Sequence, residues 1–210
     1  MKIGSLIFGS LLTLRKAGSL NLMLGTGKRL TVGILALPLL LSLGCRSAPP
    51  KGLGPGTASS GENYPNLMAR AKELEEALTR KDYGKVVDLT YPKLVEYAGG
   101  REKLLAAMTN ELKTMEAEGV EIISSTSSAP SQFVHEANGI YAVVPITSKF
   151  KAKDGVFQVE GSLIAISTDG GQNWTFVDST GKDQTELKKV IPGFDKLKLP
   201  PEKEPVKVTN

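Results

Sequence analysis

The sequence predicts an α+β fold in which three amino-terminal helices pack on a curved antiparallel β-meander. Between residues 65 and 119 apolar side chains recur at a spacing of about 3.6 residues, and beyond that range the spacing changes to two. The dipeptides Asn138-Gly139 and Asp154-Gly155 then mark two tight hairpins. We therefore expect the helices first and the sheet second.

The first helix is predicted from an apolar stripe of Leu67, Ala71, Leu74 and Leu78, with Asn66 placed to cap its amino terminus. Charged residues fill the opposite face.

A shorter second helix has Asp82 as its expected cap and Pro92 as its stop. The stretch "KLVEYA" at residues 93–98 reads as extended chain. A long third helix follows and ends at Gly119. Its apolar stripe is Leu104, Leu105, Met108, Leu112 and Met115.

The sheet register follows from the two hairpin dipeptides if each forms a two-residue loop. His135 then faces Ala142, and Phe150 faces Val159. Both registers place the apolar residues on one face of the sheet, whereas a slip of one residue would scramble them. The predicted inner face comprises Phe133, His135, Ala142, Val144, Ile146, Phe150, Phe157, Val159, Leu163 and Ala165. The predicted outer face carries Lys149, Lys151, Gln158 and Glu160.

This order of elements, three helices around a short strand and then a meander with one apolar face, resembles the nuclear transport factor 2-like superfamily, which includes ketosteroid isomerase. The resemblance implies a curved sheet that wraps a long helix and leaves a cone-shaped pocket. Members use that pocket for catalysis, for ligand binding or for dimerisation, so the fold alone does not assign a function.

Few side chains suit chemistry in such a pocket. His135 is the one ionisable residue on the predicted inner face, and Asp88 on the second helix is the other weak catalytic candidate. The predicted strands offer no inward carboxylate, because Glu136 and Glu160 point the other way. One histidine and one cysteine cannot build a metal site, so neither a metal nor another cofactor is expected.

Residues 1–44 contain five basic side chains, no acidic ones, and an apolar run that ends at the only cysteine, Cys45. From Leu30 to Leu43 the run is too short for a transmembrane helix, which needs about 20 residues. Lys28 and Arg29 supply the positive flank of a signal peptide.

The end of this run, "LSLGC", resembles the lipobox of bacterial lipoproteins. In that family the cysteine is acylated and the chain is cut just before it, which here implies acyl chains on Cys45 as a membrane anchor. Arg46 follows where an inner-membrane retention signal would have Asp. The resemblance therefore implies a cell-envelope protein, on the outer membrane and facing the periplasm if the host is Gram-negative.

A second apolar run within residues 1–22 makes the segment longer than one signal requires, so the true start is expected at Met23. Residues 45–64 are rich in Pro, Gly, Ser and Ala and read as a flexible linker.

Without the signal the chain has 21 basic and 22 acidic side chains. A near-neutral chain lacks the basic face that nucleic-acid binding needs, so we expect no nucleic-acid partner. A lone cysteine also excludes an internal disulfide framework, and stability must come from a packed core.

The stretch "STDGGQNWTF" at residues 167–176 resembles the Asp-box of sialidase-type β-propellers. Ser167, Asp169, Gly171 and Trp174 carry the pattern. It occurs once, and the clustered arginines of a sialidase are missing, so a glycan-binding function is disfavoured. We interpret the stretch as a structural hairpin whose carboxylate accepts bonds from the turn's own amides.

The expected organisation is a signal over 1–44, a linker over 45–64, one domain over 65–191 and a flexible tail over 192–210. The function that fits is a lipid-anchored binding or interaction module, engaging a small apolar ligand, another envelope protein or a second copy of itself. The alternative is an isomerase or cyclase of the ketosteroid-isomerase type. The sequence leaves open whether the chain is an enzyme.

Overall fold

The structure, a computed structural model, describes residues 64–208. The predicted signal over 1–44, the start at Met23, the acylation site Cys45 and nearly all of the linker lie outside the described residues. Tyr64, assigned from the sequence to the linker, belongs to the folded part, because its ring lies 5.4 Å from that of Trp174.

Four helices, not three, precede the sheet. They are α1 Pro65–Thr79, α2 Tyr83–Asp88, α3 Pro92–Tyr97 and α4 Arg101–Ala117. The extended conformation predicted for residues 93–98 is wrong, because Pro92 begins α3 instead of only ending α2. Proline lacks an N–H and has a helical φ, so it suits the first helical position as well as a stop. None of the helices described is long and apolar enough to cross a membrane.

The two predicted helix caps have different outcomes. The carboxylate of Asp82 accepts the backbone N–H of Lys85 at 3.0 Å, which confirms that cap. The cap predicted at Asn66 is wrong, because α1 already begins at Pro65 and Asn66 lies within its first turn. The Asn66 amide instead donates to the backbone carbonyls of Gly171 and Gln172 in the loop at residues 168–174.

The sheet has six antiparallel strands built around two long ones. The strands are β1 Glu121–Ser127, β2 Gln132–Glu136, β3 Gly139–Ala152, β4 Gly155–Ser167, β5 Thr175–Asp178 and β6 Val206–Val208. β3 pairs with β4 along their whole length. β1 and β2 pair with successive parts of β3, and β5 and β6 pair with β4. The result is a curled antiparallel sheet with α1, α2 and α4 against one face, an α+β fold as predicted.

Both hairpins form where predicted, but each register differs by two residues. Glu136 pairs with Gly139 and Ala152 pairs with Gly155, so each glycine is the first paired residue of the returning strand. His135 therefore faces Ile140, not Ala142. An even displacement preserves the alternation of side chains, so the apolar set stays on one face.

The inner face of the sheet and the helices share the larger core. All of the predicted inner-face residues of β3 and β4 are buried in it, together with Leu67, Leu104 and Met108 from the helices. On β2, Phe133 is partly buried against the same core. His135, also predicted on the inner face, is exposed near the end of β2.

The outer face is also buried at one end, which the sequence did not predict. Tyr141, Val143 and Ile164 pack there under helix α5 Gln184–Val190 and the 3₁₀ turn Phe194–Lys196. The segment "YAVV" at residues 141–144 is a continuous apolar run, a pattern typical of strands covered on both faces.

The flexible tail predicted over residues 192–210 is wrong for the part that the structure describes. Phe194 and Leu197 are buried in the outer core, and β6 pairs with Val156–Gln158 of β4. The apolar side chains of this segment are few and lie between charged residues and prolines. Phe194 and Leu197 nevertheless cover part of the outer face of the sheet, next to α5.

We predict that Gly139→Ala destabilises the domain by about 2–3 kcal/mol, because φ is +146° there and a Cβ would lie 2.4 Å from the carbonyl oxygen of Ser167. Gly170→Ala is the matched control, since φ is +74° but nothing lies within 4 Å, and about 1 kcal/mol is expected. Urea unfolding measures both. Equal losses would show that the contact with Ser167 is unimportant.

Candidate functional site

A cavity of about 70 Å³ lies between the helices and the inner face of the sheet. Leu74 and Leu78 of α1, Val86 of α2 and Leu104 of α4 form its helical wall. Ile146, Phe150 and Leu163 are among the residues that form its sheet wall. The cone is therefore largely filled by the helices, and the space that remains has mainly apolar walls.

Three hydroxyls in the wall have partners within the protein. The hydroxyls of Ser125 and Ser148 lie 2.9 Å apart and share a hydrogen bond, and the Thr90 hydroxyl donates to the carbonyl of Val86 at 2.8 Å. They can still accept a hydrogen bond from a ligand.

Asp178 is the one ionisable side chain among the described residues that line the cavity. β5 pairs with β4 so that Phe176 faces Ala165 and Asp178 faces Leu163, and the alternation brings Asp178 to the inner side. Its Oδ1 accepts the backbone N–H of Thr180 at 2.9 Å. The expectation that the sheet offers no inward carboxylate is therefore wrong. Continuing the alternation through "TFVD" at residues 175–178 would have found it.

His135, the first catalytic candidate from the sequence, lies outside this cavity. By strand alternation its side chain is on the same side of β2 as that of Phe133. It is nevertheless exposed, whereas Phe133 packs against the larger core. No residue of β2 lines the cavity.

Asp88, the second candidate, lies on the surface. Its Oδ1 accepts a hydrogen bond from Nε of Arg101 at 2.8 Å, and both side chains are about half exposed. The hydrogen bond from Arg101 lowers the pKa of Asp88, which makes it a weaker base. The structure therefore brings neither candidate into the cavity.

The Asp-box residues form a loop closed by their own hydrogen bonds. The Ser167 hydroxyl donates to Oδ1 of Asp169 and accepts the backbone N–H of Gly171, both at 2.8 Å. Asp169 also accepts the backbone N–H groups of Gln172 and Asn173. These contacts hold the turn between β4 and β5 in one conformation.

The same loop joins the first helix to the sheet. The Asn66 amide donates to the Gly171 carbonyl at 2.7 Å, and the indole of Trp174 donates to that carbonyl at 3.2 Å. Tyr64 packs edge-on against Trp174 and also contacts Phe133. None of the four Asp-box residues lines the cavity. We call this set of contacts the β4–β5 clasp.

Lys182 is a second residue that the sequence did not single out. Only 7% of its surface is exposed, and its Nζ has no hydrogen-bond partner within the part of the chain that the structure describes. Burial lowers its pKa, and the negative charge of Asp178 acts in the opposite direction. "TGKDQ" at residues 180–184 reads as an ordinary polar turn, so no sequence signal marked this lysine.

Residues 64–208 contain no group of three or more His, Cys, Asp or Glu side chains arranged to hold a metal ion.

No protein-family model matches the chain, and no curated protein is similar to it. Among solved structures it is similar to an NTF2-like (nuclear transport factor 2-like) protein of unknown function from Burkholderia pseudomallei, known at 1.30 Å resolution. The identity is 18%, the match covers 61% of this chain and 98% of that chain, and the TM-score is 0.33. That score is too low to establish a shared fold, so no function is inferred from it.

We predict that Asp169→Ala lowers the melting temperature. Hydrogen bonds from Asn173 and Ser167 lower the pKa of Asp169 from 3.8 to about 2. A lowered pKa stabilises the fold above about pH 3.8, and this contribution is lost as the pH falls towards about 2.

The difference in melting temperature between wild type and Asp169→Ala should therefore shrink between about pH 5 and about pH 2. Asp154→Ala, an exposed turn residue, is the control and should show no such change. A pH-independent difference would contradict the role of the carboxylate.

Proposed function

We propose that the chain is a lipid-anchored binding module of the bacterial cell envelope, whose ligand is a small and mainly apolar molecule. The observation that carries this proposal is the cavity between the helices and the sheet, which has apolar walls and a few polar groups at defined positions. Ligand sites in proteins commonly have this composition. An interaction with another envelope protein remains the competing form of the same proposal.

The anchor rests on the sequence. "LSLGC" at residues 41–45 follows a basic flank and an apolar run, as in bacterial lipoproteins. Each buried methylene contributes about 0.8 kcal/mol, so two or three acyl chains on Cys45 would hold the protein in the membrane. The orientation proposed is towards the periplasm, from the outer membrane of a Gram-negative host.

We predict that wild-type protein expressed in a Gram-negative bacterium incorporates an alkyne-labelled fatty acid and that Cys45→Ala does not. Acylation needs the Cys45 thiol, so the label should disappear and the unprocessed precursor should accumulate. Ser47→Ala, two residues further on, is the control and should be labelled normally. Labelling of the Cys45→Ala variant would contradict the proposed anchor.

The cavity is tested by filling it. Leu78 lines the cavity and Leu105 does not, although both are partly buried leucines that pack on the same core. We expect Leu78→Phe to abolish 1-hexanol binding and Leu105→Phe to retain it. Methyl NMR of full-length protein in lipid nanodiscs measures the shifts of the cavity's Leu, Ile and Val residues. Equal binding by the two variants would contradict a site in this cavity.

Asp178 favours a second candidate function, an isomerase of the ketosteroid-isomerase type. A carboxylate at an apolar cavity can remove a proton next to a carbonyl group and return it two carbons away. This role would belong to Asp178, not to His135 or Asp88.

The enzyme alternative predicts that the protein converts 3-cyclohexenone, a small β,γ-unsaturated ketone, to its conjugated isomer. The conversion is measured by the ultraviolet absorbance of the conjugated ketone. Asp178→Asn should then reduce kcat by about 100-fold or more, because the amide cannot act as the base. Asp88→Asn is the control and should retain the activity. Wild-type protein without turnover of this ketone would favour the binding module.

A further inference from the structure

The chain that follows β5 carries two buried polar side chains without partners. Thr180 is 5% exposed and Lys182 is 7% exposed. Neither the Thr180 hydroxyl nor Nζ of Lys182 has a hydrogen-bond partner among residues 64–208. Buried polar groups are nearly always hydrogen-bonded, and a buried ammonium group without an acceptor is especially unfavourable. An acceptor from outside the described protein would satisfy both.

Local contacts fix the conformation of this segment, which we call the 178–182 turn. The backbone N–H of Lys182 donates to the carbonyl of Ser179, and that of Thr180 donates to Asp178. The N–H and the hydroxyl of Ser179 both donate to the carbonyl of Ser162 on β4. The two unpartnered side chains thus belong to a turn that is hydrogen-bonded to β4 of the central sheet.

The side chain of Thr180 lies directly over Gly161 of β4. A Cβ at Gly161 would come within 1.9 Å of the Thr180 hydroxyl oxygen, so a larger residue would displace the threonine. By the strand alternation Gly161 belongs to the inner face, together with Val159 and Leu163. Thr180 therefore lies on the same side of the sheet as the cavity, next to the lining residue Asp178, although neither Thr180 nor Lys182 lines the cavity itself.

Asp178 connects this turn to the cavity. Its side chain lines the cavity. Burial lowers the pKa of Lys182, and the negative charge of Asp178 partly opposes this effect. It makes no hydrogen bond to Nζ of Lys182, so it favours the charged ammonium without occupying its donors. An amine and a hydroxyl are both hydrogen-bond donors, and a carboxylate has two oxygens that can accept from them.

We propose that the 178–182 turn extends the cavity beyond Asp178, where Lys182 and Thr180 bind the carboxylate of a small amphipathic acid whose apolar chain occupies the cavity. This inference rests on the proposed binding function and specifies its ligand class. Thr180 donates its hydroxyl to one carboxylate oxygen, and Lys182 donates to the other.

The test compares hexanoate with 1-hexanol, which has the same chain length and no charge, on the full-length protein in lipid nanodiscs. Methyl NMR titrations measure both affinities for wild type, Lys182→Met and Lys149→Met. Lys149 is an exposed lysine on the outer face and serves as the matched control. Both probes also partition into the lipid of the nanodiscs, so the two affinities are compared within each protein.

We expect Lys182→Met to weaken hexanoate binding by about tenfold or more, because a charge-assisted hydrogen bond is lost, and to leave 1-hexanol binding unchanged. Lys149→Met should change neither. Thr180→Val, which removes only the hydroxyl, should weaken hexanoate binding by a smaller factor. The Lys182→Met protein should also melt at a higher temperature than wild type, since a buried amine without a hydrogen-bond partner is replaced by an apolar chain of similar length.

Different results would overturn the two proposals separately. If wild type binds 1-hexanol and Lys182→Met binds hexanoate as well as wild type does, the carboxylate site is wrong and the cavity remains a binding site. Equal weakening of both probes by Lys182→Met would also overturn the carboxylate site. If wild type binds neither probe, the binding function fails, and the ligand class fails with it.

Discussion

The pairing of β3 with β4 is the constraint on which the rest of the structure depends. It runs without interruption from Ile140 opposite Ser167 to Ala152 opposite Gly155, and the other described strands each hydrogen-bond to one of these two. Once this register is set, each side chain of the two strands is assigned to the helix side or to the α5 side. The cavity, the inward position of Asp178 and the second core all follow from that assignment.

The sequence predicted side-chain faces better than it predicted pairs. Alternation with a period of two identified the inner face of β3 and β4, although both hairpin registers were displaced by two residues, because an even displacement leaves the faces unchanged. The long helix was predicted from Arg101 to Gly119 and ends at Ala117. In contrast, α3 was missed because a proline before a short apolar segment suits a helix start as well as a helix end.

The site was harder to predict than the fold, because its residues depend on tertiary contacts. His135 and Asp88 were chosen by residue type, and the structure places both away from the cavity. Asp178 could have been found by extending the alternation into β5. Lys182 could not, since its burial depends on how the turn after β5 packs. The Asp-box, in contrast, was recognised from the sequence and interpreted there as structural. The β4–β5 clasp that it forms joins Asn66 of α1 to the sheet and is separate from the cavity.

The central proposal is that the space between the helices and the sheet is a binding site, not a packing defect. The most direct measurement is native mass spectrometry of the full-length protein released from the membrane of the bacterium that expresses it. We expect a small molecule bound at one copy per wild-type chain and absent from Leu78→Phe, whose larger side chain fills the cavity. Wild-type protein without a bound molecule, or a molecule retained equally by Leu78→Phe, would contradict the account.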